Sequence, residues 1–207
     1  MNKWTEESHA RQYLARAEDI NHRGEGEAVL LAHLPQGLRR VLDLGTGDGR
    51  LLALVKEKYP QATGVALDFS PAMLEAARKR FKGDSTLEVI EHNLDLPLPE
   101  LGYFDAVVSS FAIHHCSDAR KQSLYREIFP LLKAGGVFCN LEHVSSPTPR
   151  LHDQFLRAIG QDPETEDPSN LLLDVETQLN WLGEIGFQDV DCYWKWLELA
   201  LLIGVKP

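Results

Sequence analysis

Residues 41–49 bring an apolar run, Val41, Leu42 and Leu44, up to Gly45, Gly47 and Gly49, with Asp43 and Asp48 set among them. A helical pattern follows at once, so this stretch commits the chain to a strand, a tight turn and a helix. Gly45 and Gly47 carry no Cβ, which lets the backbone bend sharply after the strand and come close to a flat or anionic ligand. The third glycine falls one residue earlier than in the G-x-G-x-x-G spacing of dinucleotide-binding turns, and the two aspartates would repel a pyrophosphate. A ligand carrying an ammonium and a sulfonium would be attracted by the same loop.

The rest of the chain alternates between strand and helix patterns, as a parallel sheet with crossover helices requires. Strands are predicted near 40–44, 63–67, 86–91, 104–110 and 136–142, and helices near 49–59, 71–82 and 119–132. Ser70 and Pro71 start one helix, Ser117 or Asp118 caps the next, and Gly135 with Gly136 turns that helix into the fifth strand. A helix near 174–184 ends at Gly186, and two closing strands near 187–193 and 197–205 are predicted to turn through Trp194, Lys195 and Trp196.

At 207 residues and 43% hydrophobic content the chain can bury one full α/β core. Twenty-one basic against 31 acidic residues, with no basic stripe, argue against nucleic acid as substrate. Cys116, Cys139 and Cys192 are odd in number and form no C-x-x-C pair, so neither a disulfide framework nor a zinc site is indicated. The first residues lack the basic-then-apolar layout of a signal peptide, and the apolar run 199–205 is too short to cross a bilayer, so a cytoplasmic protein without a membrane partner is expected.

Asp43 to Gly49 match the D-x-G-x-G-x-G motif in full, and Asp68 ends a strand about twenty residues on. Phe104-Asp105-Ala106-Val107-Val108-Ser109 leads to His114-His115. In these features the chain resembles the class I S-adenosylmethionine-dependent methyltransferases over roughly residues 38–142 and 174–205. The resemblance implies a Rossmann-like seven-stranded α/β sheet, mostly parallel with a C-terminal antiparallel hairpin, and helices on both faces. It implies S-adenosyl-L-methionine as cofactor, S-adenosyl-L-homocysteine as product, and methyl transfer to an oxygen, nitrogen or carbon nucleophile of a small molecule. Carried onto this chain, Asp43, Gly45, Thr46 and Gly47 form the loop, and Asp68 with Phe69 faces the ribose. Asn93 and Leu94 meet the adenine edge, with His92 or Asp95 in their place under a one-residue shift. Ser109 and Ser110 face the methionine part, and Arg23 pairs with its carboxylate.

Candidates for acceptor chemistry sit at the strand ends. His114 and His115 either remove a proton or brace a loop. At the end of the fifth strand, Glu142 is suited to hold a substrate amine and His143 to accept a proton. None of these side chains forms a recognisable metal-ligand motif, and orientation of donor and acceptor can supply much of the rate. The expected organisation is one domain, 1–207, with an N-terminal lid at 1–24 and an insertion at 143–173; a monomer or a homodimer remains open. A same-fold enzyme that modifies the cofactor or transfers another group, a non-catalytic cofactor-binding domain, and a dinucleotide-dependent oxidoreductase are the alternatives. The last is disfavoured by Asp43, Asp48 and the glycine spacing.

Overall fold

Strand β1 (Arg40–Leu44) sits at the middle of the sheet because both of its faces are apolar: Val41, Leu42 and Leu44 are all 0% exposed. The structure, a computed structural model, describes residues 22–207, so most of the expected lid, including Trp4, Tyr13 and Leu14, lies outside the described residues. From α1 (Arg23–His33) the chain alternates β1, α2 (Arg50–Lys58), β2 (Thr63–Asp68), α3 (Pro71–Arg80), β3 (Leu87–Glu91), β4 (Phe104–Ser110), α4 (Asp118–Leu131) and β5 (Leu132–His143). After α5 (Pro149–Ala158) and α6 (Val175–Ile185) come β6 (Gln188–Trp196) and β7 (Leu199–Val205).

The seven strands lie in the order β3-β2-β1-β4-β5-β7-β6. Strands β1 to β5 run parallel, and β7 is antiparallel to both β5 and β6. Successive residues feed opposite faces: Val41, Ala106 and Val108 pack with Leu30 of α1 and Leu51, Leu52 and Val55 of α2. Leu42, Leu44 and Val107 pack with Leu124 and Ile128 of α4 and Leu182 of α6. This is the strand alternation expected of a sheet covered by helices on both sides.

Two predicted boundaries are corrected. Strand β5 begins at Leu132, paired with Phe104, and the ladder resumes after a bulge at Val137 opposite Ala106, so the strand is longer than 136–142. The closing turn is at Leu197 and Glu198, where Leu197 has φ +50°, and not at Trp194 to Trp196. Both tryptophans belong to β6 and pair with Leu201 and Leu199, as expected of aromatic residues on a pleated surface.

A buried polar chain links the layers on the α4 side. The Tyr125 hydroxyl donates to Gln178 Oε1 at 2.6 Å and accepts from Asn140 Nδ2 at 3.2 Å, joining α4, α6 and β5. Tyr125→Phe removes two buried hydrogen bonds and leaves Gln178 Oε1 without its donor, and should cost about 1–3 kcal/mol in urea unfolding; unchanged stability would show that the chain is not structural.

Candidate active site

Open parallel sheets hold ligands beyond the carboxyl ends of their strands, where the strand order reverses. Here that point lies between β1 and β4, and a cleft of about 780 Å³, including its open mouth, is found there. The loop after β1 supplies Gly45, Thr46, Gly47 and Asp48 to its lining. The end of β2 supplies Asp68 and Phe69, and the end of β3 supplies His92, Asn93, Leu94 and Asp95. Beyond β4 come Ser110, Phe111, Ala112, His115 and Cys116, with Arg23 and Met73 closing the sides.

Asp68 fixes the cleft's shape. Its Oδ2 accepts the Gly47 amide at 2.8 Å and its Oδ1 the Ser70 amide at 2.9 Å, so one carboxylate holds both the glycine loop and the start of α3. Burial raises its pKa and these amide hydrogen bonds oppose the rise. Each carboxylate oxygen has a second lone pair, and the group lines the cleft, so it can still accept from a hydroxyl-bearing ligand.

The three glycines all have positive φ, +66°, +57° and +83°, but they serve different ends. A Cβ on Gly45 would lie 2.2 Å from the Ala112 Cβ, so this glycine makes room for the loop after β4 rather than for a ligand. A Cβ on Gly49 would lie 2.5 Å from the Phe81 ring. At Gly47 the nearest atom would be Met73 Sδ at 3.9 Å, so this position opens onto the cleft.

Asp43 does not reach the lining. It is 1% exposed, its Oδ2 accepts the Thr46 hydroxyl at 2.6 Å, and its Oδ1 has no partner among the described residues. Burial pushes its pKa from 3.8 up to about 7, against the Thr46 hydrogen bond. Asp48 is ion-paired with Arg80 of α3, so its charge is largely offset. The negative field at the cleft therefore comes from Asp68, with Asp43 one layer beneath. Arg23 meets the cleft as expected: it is 7% exposed, bonded to Glu27 at 2.8 Å and to the Ser110 hydroxyl at 3.4 Å. Ser109 does not join it, because its hydroxyl is fully buried and donates to the Leu44 carbonyl at 2.8 Å.

The acceptor candidates His114, Glu142 and His143 are close together but behind the cleft wall. His114 Nδ1 lies 2.7 Å from Glu142 Oε1, and His143 Nε2 lies 3.0 Å from Glu198 Oε2. Burial holds the His114 imidazole well below its usual pKa and lifts Glu142 to about 7. Of the pair, His115 lines the cleft, as His92 does from the end of β3, and its ring lies 3.9 Å from that of His114. His114 and His115 fall in a 3₁₀ turn, Ile113–His115, in which His114 is held by Glu142 and His115 by Ser169.

Phe111, Ala112, Cys116 and Met73 are lining residues not singled out from the sequence. Phe111 stands directly after β4 at φ +53°, an uncommon conformation for a bulky residue that only the structure reveals. Burial pushes the Cys116 thiol up to about 12, so it stays protonated. Among the described residues no group of His, Cys, Asp and Glu is placed to hold a metal ion. An open backbone position at Gly47, a buried acidic oxygen without a partner at Asp43 and a tethered carboxylate at Asp68 together fit a nucleoside that carries positive charge.

A family model described as a methyltransferase domain matches residues 41–136. The demethylmenaquinone methyltransferase of Clavibacter sepedonicus is 31% identical over 197 residues, which cover 87% of this chain and 78% of that protein. The demethylmenaquinone methyltransferase of Thermus thermophilus is 39% identical over 123 residues, 58% of this chain and 54% of its own length. An O-methyltransferase family protein from Burkholderia thailandensis superposes with a TM-score of 0.75 at 22% identity, covering 99% of this chain and 61% of that one. The chain belongs to the class I S-adenosylmethionine-dependent methyltransferases. Its cofactor is S-adenosylmethionine, and its activity is methyl transfer to a small molecule.

Native Asp43 keeps a proton between about pH 4 and 7 that the unfolded chain has lost, so its stabilising contribution is complete below about pH 4 and is lost as the pH rises through 7. Asp43→Asn, neutral at every pH, should lose less stability than the parent between about pH 5 and 8 in unfolding titrations of ligand-free protein; an equal loss would contradict the assignment. Gly45→Ala should unfold the loop through its clash with Ala112. Gly47→Ala should keep most of the stability, with φ strain of about 1 kcal/mol, and lose S-adenosylhomocysteine affinity instead. The reverse order would show that the loop opens elsewhere.

Proposed function

We propose that the acceptor is a flat, uncharged, hydroxylated aromatic molecule, methylated mainly through orientation. The observation that carries this reading is the lining beyond the nucleoside end of the cleft: a phenyl ring, a methyl group, a protonated thiol and a neutral imidazole, from Phe111, Ala112, Cys116 and His115. Such a wall suits an apolar ring with one polar handle. The similar protein of Clavibacter sepedonicus is named as a methyltransferase of demethylmenaquinone, a flat uncharged ring compound.

When bound, S-adenosylmethionine supplies a sulfonium-activated methyl group. Asp68 and Phe69 are proposed to hold the ribose side, Asn93 and Leu94 the adenine, Thr46 and Gly47 the backbone of the loop, and Arg23 with Ser110 the amino-acid end. Asp43 and Gly45 act from beneath, one through its hydrogen bond from Thr46 in the same loop and the other through the space it leaves for Ala112. His115 Nδ1 lies 3.1 Å from the Ser169 carbonyl and 3.2 Å from the Ser169 hydroxyl; the assigned tautomer has Nδ1 donating to the carbonyl and the lone pair on Nε2. Burial pulls its pKa down to about 3, which makes this imidazole a weak base and a good neutral hydrogen-bond acceptor. Its proposed role is to orient the acceptor's hydroxyl. His114, Glu142 and His143 are proposed to brace that turn from behind, within a single domain whose 143–173 insertion walls the acceptor side. No helix among the described residues is long and apolar enough to cross a membrane; a cytoplasmic setting without a nucleic-acid partner is proposed on the excess of acidic over basic residues, 31 against 21.

Incubation with methyl-labelled S-adenosylmethionine and a panel of naphthols, quinols and aliphatic amines tests the reading: label should pass to the aromatic hydroxyl compounds, and exclusive amine methylation would overturn it. With an accepted naphthol or quinol, His115→Phe should lower kcat/KM about tenfold, the worth of one orienting hydrogen bond. S-adenosylhomocysteine affinity should stay within about twofold. Equal losses in both would place His115 in the cofactor site instead.

A further inference from the structure

Glu27 is 2% exposed, does not line the cleft, and accepts from two arginines, Arg23, which lines it, and Arg50, which does not. Arg23 Nε donates to Glu27 Oε1 at 2.8 Å from one turn earlier on α1. Arg50 donates from Nε to Oε1 at 3.0 Å and from Nη2 to Oε2 at 3.0 Å. Arg50 is the first residue of α2 and follows the glycine loop directly. Arg23 lines the cleft, with its guanidinium 5.4 Å from the Phe111 ring centroid.

A buried carboxylate is retained only where its charge is matched and its lone pairs are used, and here two guanidinium groups do both. Its position is fixed as well. A Cβ on the neighbouring Gly26 would lie 2.6 Å from Leu141 Cδ1 and 3.0 Å from the Trp194 ring, so the α1 backbone is pressed onto the sheet. Glu27 thus couples a side chain that lines the cleft to the helix that directly follows the glycine loop.

We propose that Glu27 is a positioning residue for cofactor binding: it aims Arg23 at the carboxylate of the cofactor's amino-acid moiety and sets that arginine's distance from the glycine loop through Arg50. This rests on the assignment of Arg23 to the cofactor carboxylate. A residue that only docked α1 would affect every ligand of the cleft alike. A residue that aims Arg23 affects only ligands that carry the amino-acid group.

Calorimetry with S-adenosylhomocysteine and with methylthioadenosine, which keeps the nucleoside and thioether but lacks the amino acid, separates the two. Glu27→Gln should weaken S-adenosylhomocysteine about tenfold and leave methylthioadenosine within about twofold. Glu27→Asp, which keeps the charge, should recover part of the loss and serves as the second variant where the glutamine variant does not fold. A parallel fall for both ligands, or no fall for either, while Arg23→Met still shifts their ratio, overturns the role of Glu27 alone. If Arg23→Met also leaves the ratio unchanged, the assignment of Arg23 fails and the proposal with it.

Discussion

The cleft depends on one carboxylate. Asp68 ends β2, and through the Gly47 and Ser70 amides it ties the loop after β1, 21 residues away, to the end of β2 and the adjoining start of α3. Charge-assisted hydrogen bonds from backbone amides to an ionised group are among the stronger ones available to a protein. The loop also depends on a steric fit, since Gly45 leaves room for Ala112 and so brings the β4 turn, with Phe111, against the same cleft. Electrostatic tethering on one side and close packing on the other produce a preformed ligand site on rigid strands.

The histidine and glutamate residues beyond β4 and β5 form a second layer. His115 bonds Ser169, His143 bonds Glu198, and His152 bonds both Glu198 and Glu166, so the segment after β5 is tied to the β6–β7 turn and to the His114–His115 turn. Burial alone would lower the His152 pKa, but hydrogen bonds to Glu166 and Glu198 outweigh it and raise the value. His114 and His115, by contrast, are held neutral by burial. The same residue type thus serves as a clasp between two carboxylates at the rim and as neutral packing within, according to its surroundings.

What could be read from the sequence follows physical range. The strand-turn-helix at 41–49 and the alternation of strands and helices are local patterns, and they located the loop that lines the cleft, whereas the strand order rests on pairing between distant segments. Contacts between distant residues were not legible. Nothing near Asp48 announces Arg80, and nothing near Ser109 announces that its hydroxyl turns inward to Leu44. The His114-His115 pair marked the right turn, but which imidazole faces the ligand depends on a 3₁₀ geometry that residue types do not reveal. Glu27 carried no motif at all; its role emerges only when α1 and the start of α2 are placed side by side.

The central claim is that Asp68 both shapes the loop and receives the ribose of a cationic nucleoside cofactor. Calorimetric titration of S-adenosylhomocysteine into the parent protein and into Asp68→Ala, with thermal unfolding as a check that the variant remains folded, tests it most directly. The account predicts measurable binding by the parent and a loss of roughly 1.5–3 kcal/mol, about tenfold or more, in the folded variant. An unchanged dissociation constant in that variant, or no binding by the parent, would contradict it.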